Sequence, residues 1–220
     1  MENTNLPKDD EIKGKFSVAL GLFDYINPIL YAVTSVTVLT HLFGEMKLPM
    51  YILYALGVLV SLIFGFSIPT VKVMVGTGKM QFKLPVNFVS FVNSGIFVSG
   101  LMLFGYTLNV KPIIYLVIVV LALAVLGFIL KKSGKFNTVA VLIGAIGYLL
   151  IYISLITLSV RAGVTLPIVL YAFAICLFVL LVGIGIKGNL KNANLHWVIE
   201  ACNVCCQLSV AIATLLLFCR

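Results

Sequence analysis

The sequence predicts an all-α integral membrane protein with seven transmembrane helices. Three observations carry that prediction. Of 220 residues, 62% are hydrophobic and only 10% charged; the apolar residues fall into long runs; and the breaks between runs are short and hold most of the lysines. No soluble domain of this size needs so much apolar surface. A helix crossing the hydrocarbon takes about 20 mostly apolar residues, so the chain has room for six to eight spans and little else.

Residues 1–15, MENTNLPKDDEIKGK, form a short polar tail without the basic start, apolar run and small-residue cleavage site of a signal peptide. Span 1, near 16–43, contains Asn27-Pro28, and the proline withholds a backbone N–H and is expected to kink the helix. Spans 2 (48–70), 3 (84–107), 4 (111–130) and 6 (164–187) open on Leu-Pro or Lys-Pro, which suits a first helical turn. Span 5, near 137–160, carries Gly144 and Gly147, small residues that let helices approach closely. Tyr148 and Tyr152 in the same span are expected in the core. Span 7, near 195–219, is the stretch HWVIEACNVCCQLSVAIATLLLF and little more.

Lysine and arginine fall unevenly on alternate sides. Eleven lie on the side of the N-terminus, Lys72 among them as a loop residue, and four on the other. The positive-inside rule then places the N-terminus in the cytoplasm and the C-terminus outside. The same topology accounts for the net charge of +8, because the lysines sit in loops and not on a basic face interleaved with aromatics. Nucleic-acid binding is therefore not expected.

Short matches hint at an internal repeat. Gly14-Lys15-Phe16 and Gly134-Lys135-Phe136 open spans 1 and 5, LPMYILYA and LPIVLYA open spans 2 and 6, and Asn93 falls opposite Asn203 in spans 3 and 7. A 3+1+3 arrangement makes the two triplets parallel about an axis along the membrane normal. This layout resembles in topology the SWEET sugar transporters and the PnuC-type vitamin transporters. The proline-glutamine signature of the first and the tryptophan-rich pattern of the second cannot be placed on these residues. Span 7 also holds no lysine for the retinal of a microbial rhodopsin, so no family is assigned.

At about 100° per residue, His196, Glu200, Asn203 and Gln207 share one face of span 7, with Ala211 and Thr214 above them. Asp24, Asn27, Tyr31, Thr34 and Ser35 share one face of span 1, while Asn87, Ser90, Asn93 and Ser94 spread more widely on span 3. If spans 1, 3 and 7 are neighbours, these faces meet on the cytoplasmic side of the bundle. Asp24 and Glu200 are the only acids inside spans, and burying a carboxylate in hydrocarbon costs several kcal/mol. With no basic partner expected in any span interior, each acid must hold a proton, bind a cation or sit in water. Asp24, Asn27, Tyr31, Asn87, Ser90, Asn93, His196, Glu200, Asn203 and Gln207 are thus the candidate solute- or ion-binding residues. For Asn93, Asn203 and Gln207 the reading as hydrogen-bond links between helices stays equally open.

The five cysteines lie within or at the end of apolar runs, where a disulfide framework is not expected. Cys202, Cys205 and Cys206 resemble a metal motif but lack a second cluster to complete a zinc shell, so they are expected to pack, on faces turned from the polar stripe. No GxSxG, HExxH or paired-acid motif is present; neither an enzyme nor a cofactor is expected. The expected function is transport of a small polar solute or ion, with membrane lipid, that solute and a proton or cation as partners and oligomerisation open. The alternatives are a non-catalytic receptor, immunity or assembly protein, and a proton or cation channel.

Overall fold

A computed structural model describes residues 17–79, 86–111, 117, 136–187 and 193–219. Every regular element among them is a helix: α1 (Val18–Asp24), α2 (Ile26–Leu42), α3 (Leu48–Gly76), α4 (Val86–Thr107), α5 (Phe136–Arg161), α6 (Thr165–Lys187) and α7 (Ala193–Phe218). They supply 6 stretches long and apolar enough to cross a membrane. α1 and α2 together make span 1, α3 and α4 make spans 2 and 3, and α5, α6 and α7 make spans 5, 6 and 7. The tail 1–15 and, apart from Lys111 and Val117, span 4 lie outside the described residues.

The caps and breaks follow from local chemistry. Ser17 starts α1 by accepting from the Leu20 N–H at 3.2 Å, satisfying one of the donors a helix start leaves open. The chain turns at Tyr25 between α1 and α2; Pro28 cannot donate to the Asp24 carbonyl four residues back, so the helix breaks where that bond is missing. Pro69 does the same inside α3 to the carbonyl of Gly65. Hydroxyls buried in the helices mostly bond their own carbonyls four residues earlier, as Ser61 does to Gly57 and Thr214 to Val210, each at 2.8 Å.

One boundary differs from the sequence expectation in a way that matters. α3 does not stop near residue 70 but runs to Gly76, with Gly78 at φ 73° taking the left-handed conformation just past its end. Lys72 is consequently a helix residue and not a loop residue. Without it the loop lysines and arginines still divide ten to four.

The helices contact one another in a closed cycle: α3 packs on α4, α4 on α5, α5 on α6, α6 on α7, α7 on α2, and α1 and α2 return to α3. Glycines set the closest approaches. A Cβ on Gly57 of α3 would stand 2.7 Å from the Gly95 carbonyl of α4, and one on Gly147 of α5 only 2.7 Å from the Phe97 backbone. The basal end of the bundle, where α1 and α7 begin and α3 finishes, is closed by Phe23 against Trp197 and by Val18 against Gly76. At the apical end Tyr106 donates to Glu45 at 3.0 Å, Arg161 to the Thr107 carbonyl at 2.6 Å, and His41 stacks on Phe218. Between the ends lies a packed layer that includes Val38, Tyr54, Val58, Met102, Leu103, Leu155, Val210 and Ala213.

Because α4 and α5 meet backbone to backbone, Gly147→Val is expected to destabilise the protein by about 1–3 kcal/mol through overpacking. Val141→Ala, on an exposed face of the same helix, serves as the comparison. Thermal unfolding in detergent should show a lowered midpoint for the first and little change for the second.

Candidate functional site

The acids of spans 1 and 7 do not stand alone. Lys72 extends from α3 between them, its Nζ 2.7 Å from Asp24 Oδ2 and 2.8 Å from Glu200 Oε1. Asn27 completes the circuit by donating through Nδ2 to Asp24 Oδ1 at 3.2 Å and to Glu200 Oε2 at 3.0 Å. All four carboxylate oxygens are engaged, and α1, α2, α3 and α7 are tied at one point. The expectation that no cation lies within a span is thus overturned. A charged residue at position 72 suggests the end of the apolar run, but Val71, Val73, Met74 and Val75 continue it and keep Lys72 on the helix.

The orientation of the Asn27 amide is dictated by its partners. Ionised carboxylates only accept, so the amide nitrogen must face them and the oxygen must turn away. That oxygen is buried and has no hydrogen-bond partner, in a side chain only 8% exposed. An acceptor left in this state costs about 1–3 kcal/mol, a deficit that a donor or cation would remove.

Beside the circuit is a cavity of about 140 Å³. Its walls are Asp24, Asn27, Pro28 and Tyr31 from span 1; Ser61, Gly65 and Ile68 from α3; Val92 and Ile96 from α4; Tyr148 from α5; and Asn203 and Gln207 from α7. Asp24 and Asn27 belong to both circuit and cavity, whereas Lys72 and Glu200 stand behind them and are not in the wall. The Tyr31 hydroxyl lies 3.5 Å from Ser99 Oγ, bridging spans 1 and 3, and Gln207 reaches the Tyr148 hydroxyl. Among the described residues no cluster of metal-binding side chains is found.

Six of the ten candidate residues from the sequence meet here: Asp24, Asn27, Tyr31, Glu200, Asn203 and Gln207. Span 3 contributes differently from expectation. From its described residues Val92 and Ile96 line the cavity, not Ser90, Asn93 or Ser94, and the Asn93 side chain lies against Gly144 of α5. Close approach of α4 to α5 takes up the Asn93 face. The side chains of Asn87 and His196 are outside the described set. Cys205 is exposed, but Cys206 is fully buried, bonding the Ala174 carbonyl at 3.3 Å with the Tyr152 hydroxyl at 3.5 Å. Sequence reasoning missed Lys72 and underused Tyr148.

Above the cavity the bundle is tightly packed. From Ser61 in the cavity wall to Met50 at the apical depression, α3 rises 11 residues, or about 16 Å. Tyr54 and Val58 fill that interval, both 3% exposed. The apical depression itself, lined by Glu45, Lys47, Tyr106, Asn109 and Arg161 among others, does not reach the cavity.

Removing the lysine leaves two buried carboxylates without a cation, and breaking a buried pair in this way costs about 3–5 kcal/mol. Lys72→Ala should therefore lower stability by about that amount, and Glu200→Gln, which leaves one acid to one ammonium, by clearly less; denaturation monitored by the single Trp197 orders the two. No family model matches the chain, and neither a curated protein nor a solved structure is significantly similar to it, so the reading of this site stands on its own residues.

Proposed function

We propose that the protein is a small multi-pass membrane transporter that moves a small polar solute or ion across the cell membrane. In this reading the N-terminus is cytoplasmic, as the lysine bias suggests, and the basal circuit faces the cytoplasm. The observation that carries the proposal is the position of the cavity. It lies between a charged circuit that ties four helical segments on one side and a packed apolar layer about 16 Å deep on the other. A midway site with a different barrier toward each end of the bundle is what alternating access uses. Seven spans fit the same reading: α4 ends apically and α5 begins basally, as a span between them demands. The cyclic order of the six helices is compatible with a 3+1+3 repeat, since α4 meets α5 as α7 meets α2.

Size narrows the solute. Sites for drug-sized ligands run to about 300–1,000 Å³, and a cavity near 150 Å³ just holds a benzene ring. A solute of roughly six heavy atoms or fewer is the match for about 140 Å³. The layer argues against an open proton or cation channel, because Tyr54 and Val58 pack it shut and the buried hydroxyls within it, such as Ser159 and Thr214, bond to carbonyls of their own helices. An assembly or immunity role would need no such cavity; a receptor for a small ligand would share it, and uptake into liposomes separates the two.

Protein reconstituted in liposomes should take up a small polar solute, with Asp24→Asn and Glu200→Gln each lowering the rate at least tenfold and the exposed Cys205→Ser leaving it unchanged. In planar bilayers no steady conductance is expected. Full uptake by both acid variants, each shown to be folded, would sink the assignment of the acids.

A further inference from the structure

We infer that the cavity is a site for a small primary alkylammonium ion, held by Asp24 and Asn27 in competition with Lys72. The inference rests on the cavity being a ligand site, as in the transport reading, but does not depend on transport itself.

Charge comes first. With all three groups ionised, Asp24 and Glu200 carry two negative charges and Lys72 one positive. One negative charge stays uncompensated in a site almost closed to water, the side chains being only 9–12% exposed. A proton shared by the two acids restores the balance when the cavity is empty, and a single monovalent cation restores it when the cavity is filled: Lys72 keeps Glu200, and the newcomer takes Asp24. Neither an anion nor a divalent cation does so.

Geometry says from which side it comes. Asp24 and Asn27 are the two circuit members in the cavity wall, whereas Lys72 approaches from behind. The unpartnered Asn27 Oδ1, in a residue 8% exposed that lines the cavity, is an acceptor that a small rotation of the amide would offer to an N–H. Two main-chain carbonyls, those of Asp24 and Gly65, have lost their helical donors to Pro28 and Pro69, and both residues line the same cavity. An ammonium, with three donors and no acceptor, matches such a set.

The rest of the wall selects an organic cation over a bare ion. Pro28, Ile68, Val92 and Ile96 offer apolar surface for a short hydrocarbon chain. Tyr31 and Tyr148, packed edge to face at 6.4 Å, present ring surface of the kind that attracts cations. An alkali ion gains nothing from the aliphatic wall and would have to shed its water against it. At about 140 Å³ the cavity takes a body of butylammonium size by the benzene comparison.

The test is equilibrium binding of radiolabelled butylammonium to the full chain in nanodiscs. Saturable binding is expected, with butan-1-ol, sodium and potassium competing at least tenfold more weakly than unlabelled butylammonium and tetrabutylammonium not competing. Asp24→Asn should abolish binding. Lys72→Met should bind at least fivefold tighter and regain thermal stability when butylammonium is added. Lys72→Arg, whose fork holds Asp24 more firmly, should bind at least fivefold more weakly, and this variant decides the matter if Lys72→Met does not fold. Absence of saturable binding, equal competition by butan-1-ol or by sodium, or undiminished binding by Asp24→Asn overturns the inference. Binding without uptake into liposomes would remove the transport reading and leave this site standing; uptake of another solute without butylammonium binding would do the reverse.

Discussion

The bundle depends on one electrostatic constraint: two carboxylates inside an apolar structure share a single ammonium. A charged side chain at this depth is costly, and attraction at 2.7–2.8 Å offsets that cost only if all the charges stay together. Asp24, Lys72 and Glu200 come from segments far apart in sequence, so keeping them together fixes where α1, α3 and α7 lie relative to one another. Asn27 is the neutral member that makes the geometry possible. Its amide occupies the two carboxylate oxygens that Lys72 cannot reach, and the acceptor this leaves over is the most chemically expectant atom of the cavity.

Glycine contacts and the charged circuit divide the work of assembly. α3, α4 and α5 approach through Gly57, Gly95, Gly100 and Gly147 to near backbone contact, where dispersion and close packing replace the hydrophobic drive that lipid removes. Those contacts have no alternative arrangement, because a helix displaced by a few ångströms loses them. The α1, α3 and α7 junction is different. It is held by polar side chains, with the lysine reaching across from α3. The glycine-packed half of the bundle thus flanks the cavity on one side and the ion-paired half on the other.

Much of this was legible in the sequence and some was not. The helices showed because apolar runs, Leu-Pro starts and glycine stops are local signals. The polar stripes of spans 1 and 7 also showed, since a 100° step per residue places Asp24, Asn27 and Tyr31 on one face without knowledge of what lies opposite. Indeed Asp24, Asn27, Tyr31, Thr34 and Ser35 are all buried. What the stripes face could not be read. The polar side of α4 was expected to join them, but Asn93 is spent against Gly144, a pairing set by which helices become neighbours and so by nothing within span 3.

Lys72 is the instructive failure. A hydropathy reading ends a span at the first charge, and it ended span 2 before VKVMVGTGK. Yet the apolar residues continue to Val75 and the stop signal, Thr77-Gly78, comes later, so the helix boundary itself was legible. Charge bookkeeping pointed the same way: two acids inside spans call for a cation, and Lys72 is flanked by apolar residues on both sides. Read together, boundary and charge would have placed the lysine in the bundle. They would also have turned the question from how each acid is neutralised to why one lysine serves two acids. That unbalanced ratio is the ground for proposing a second cation at the site, and it is written in three residues of the sequence.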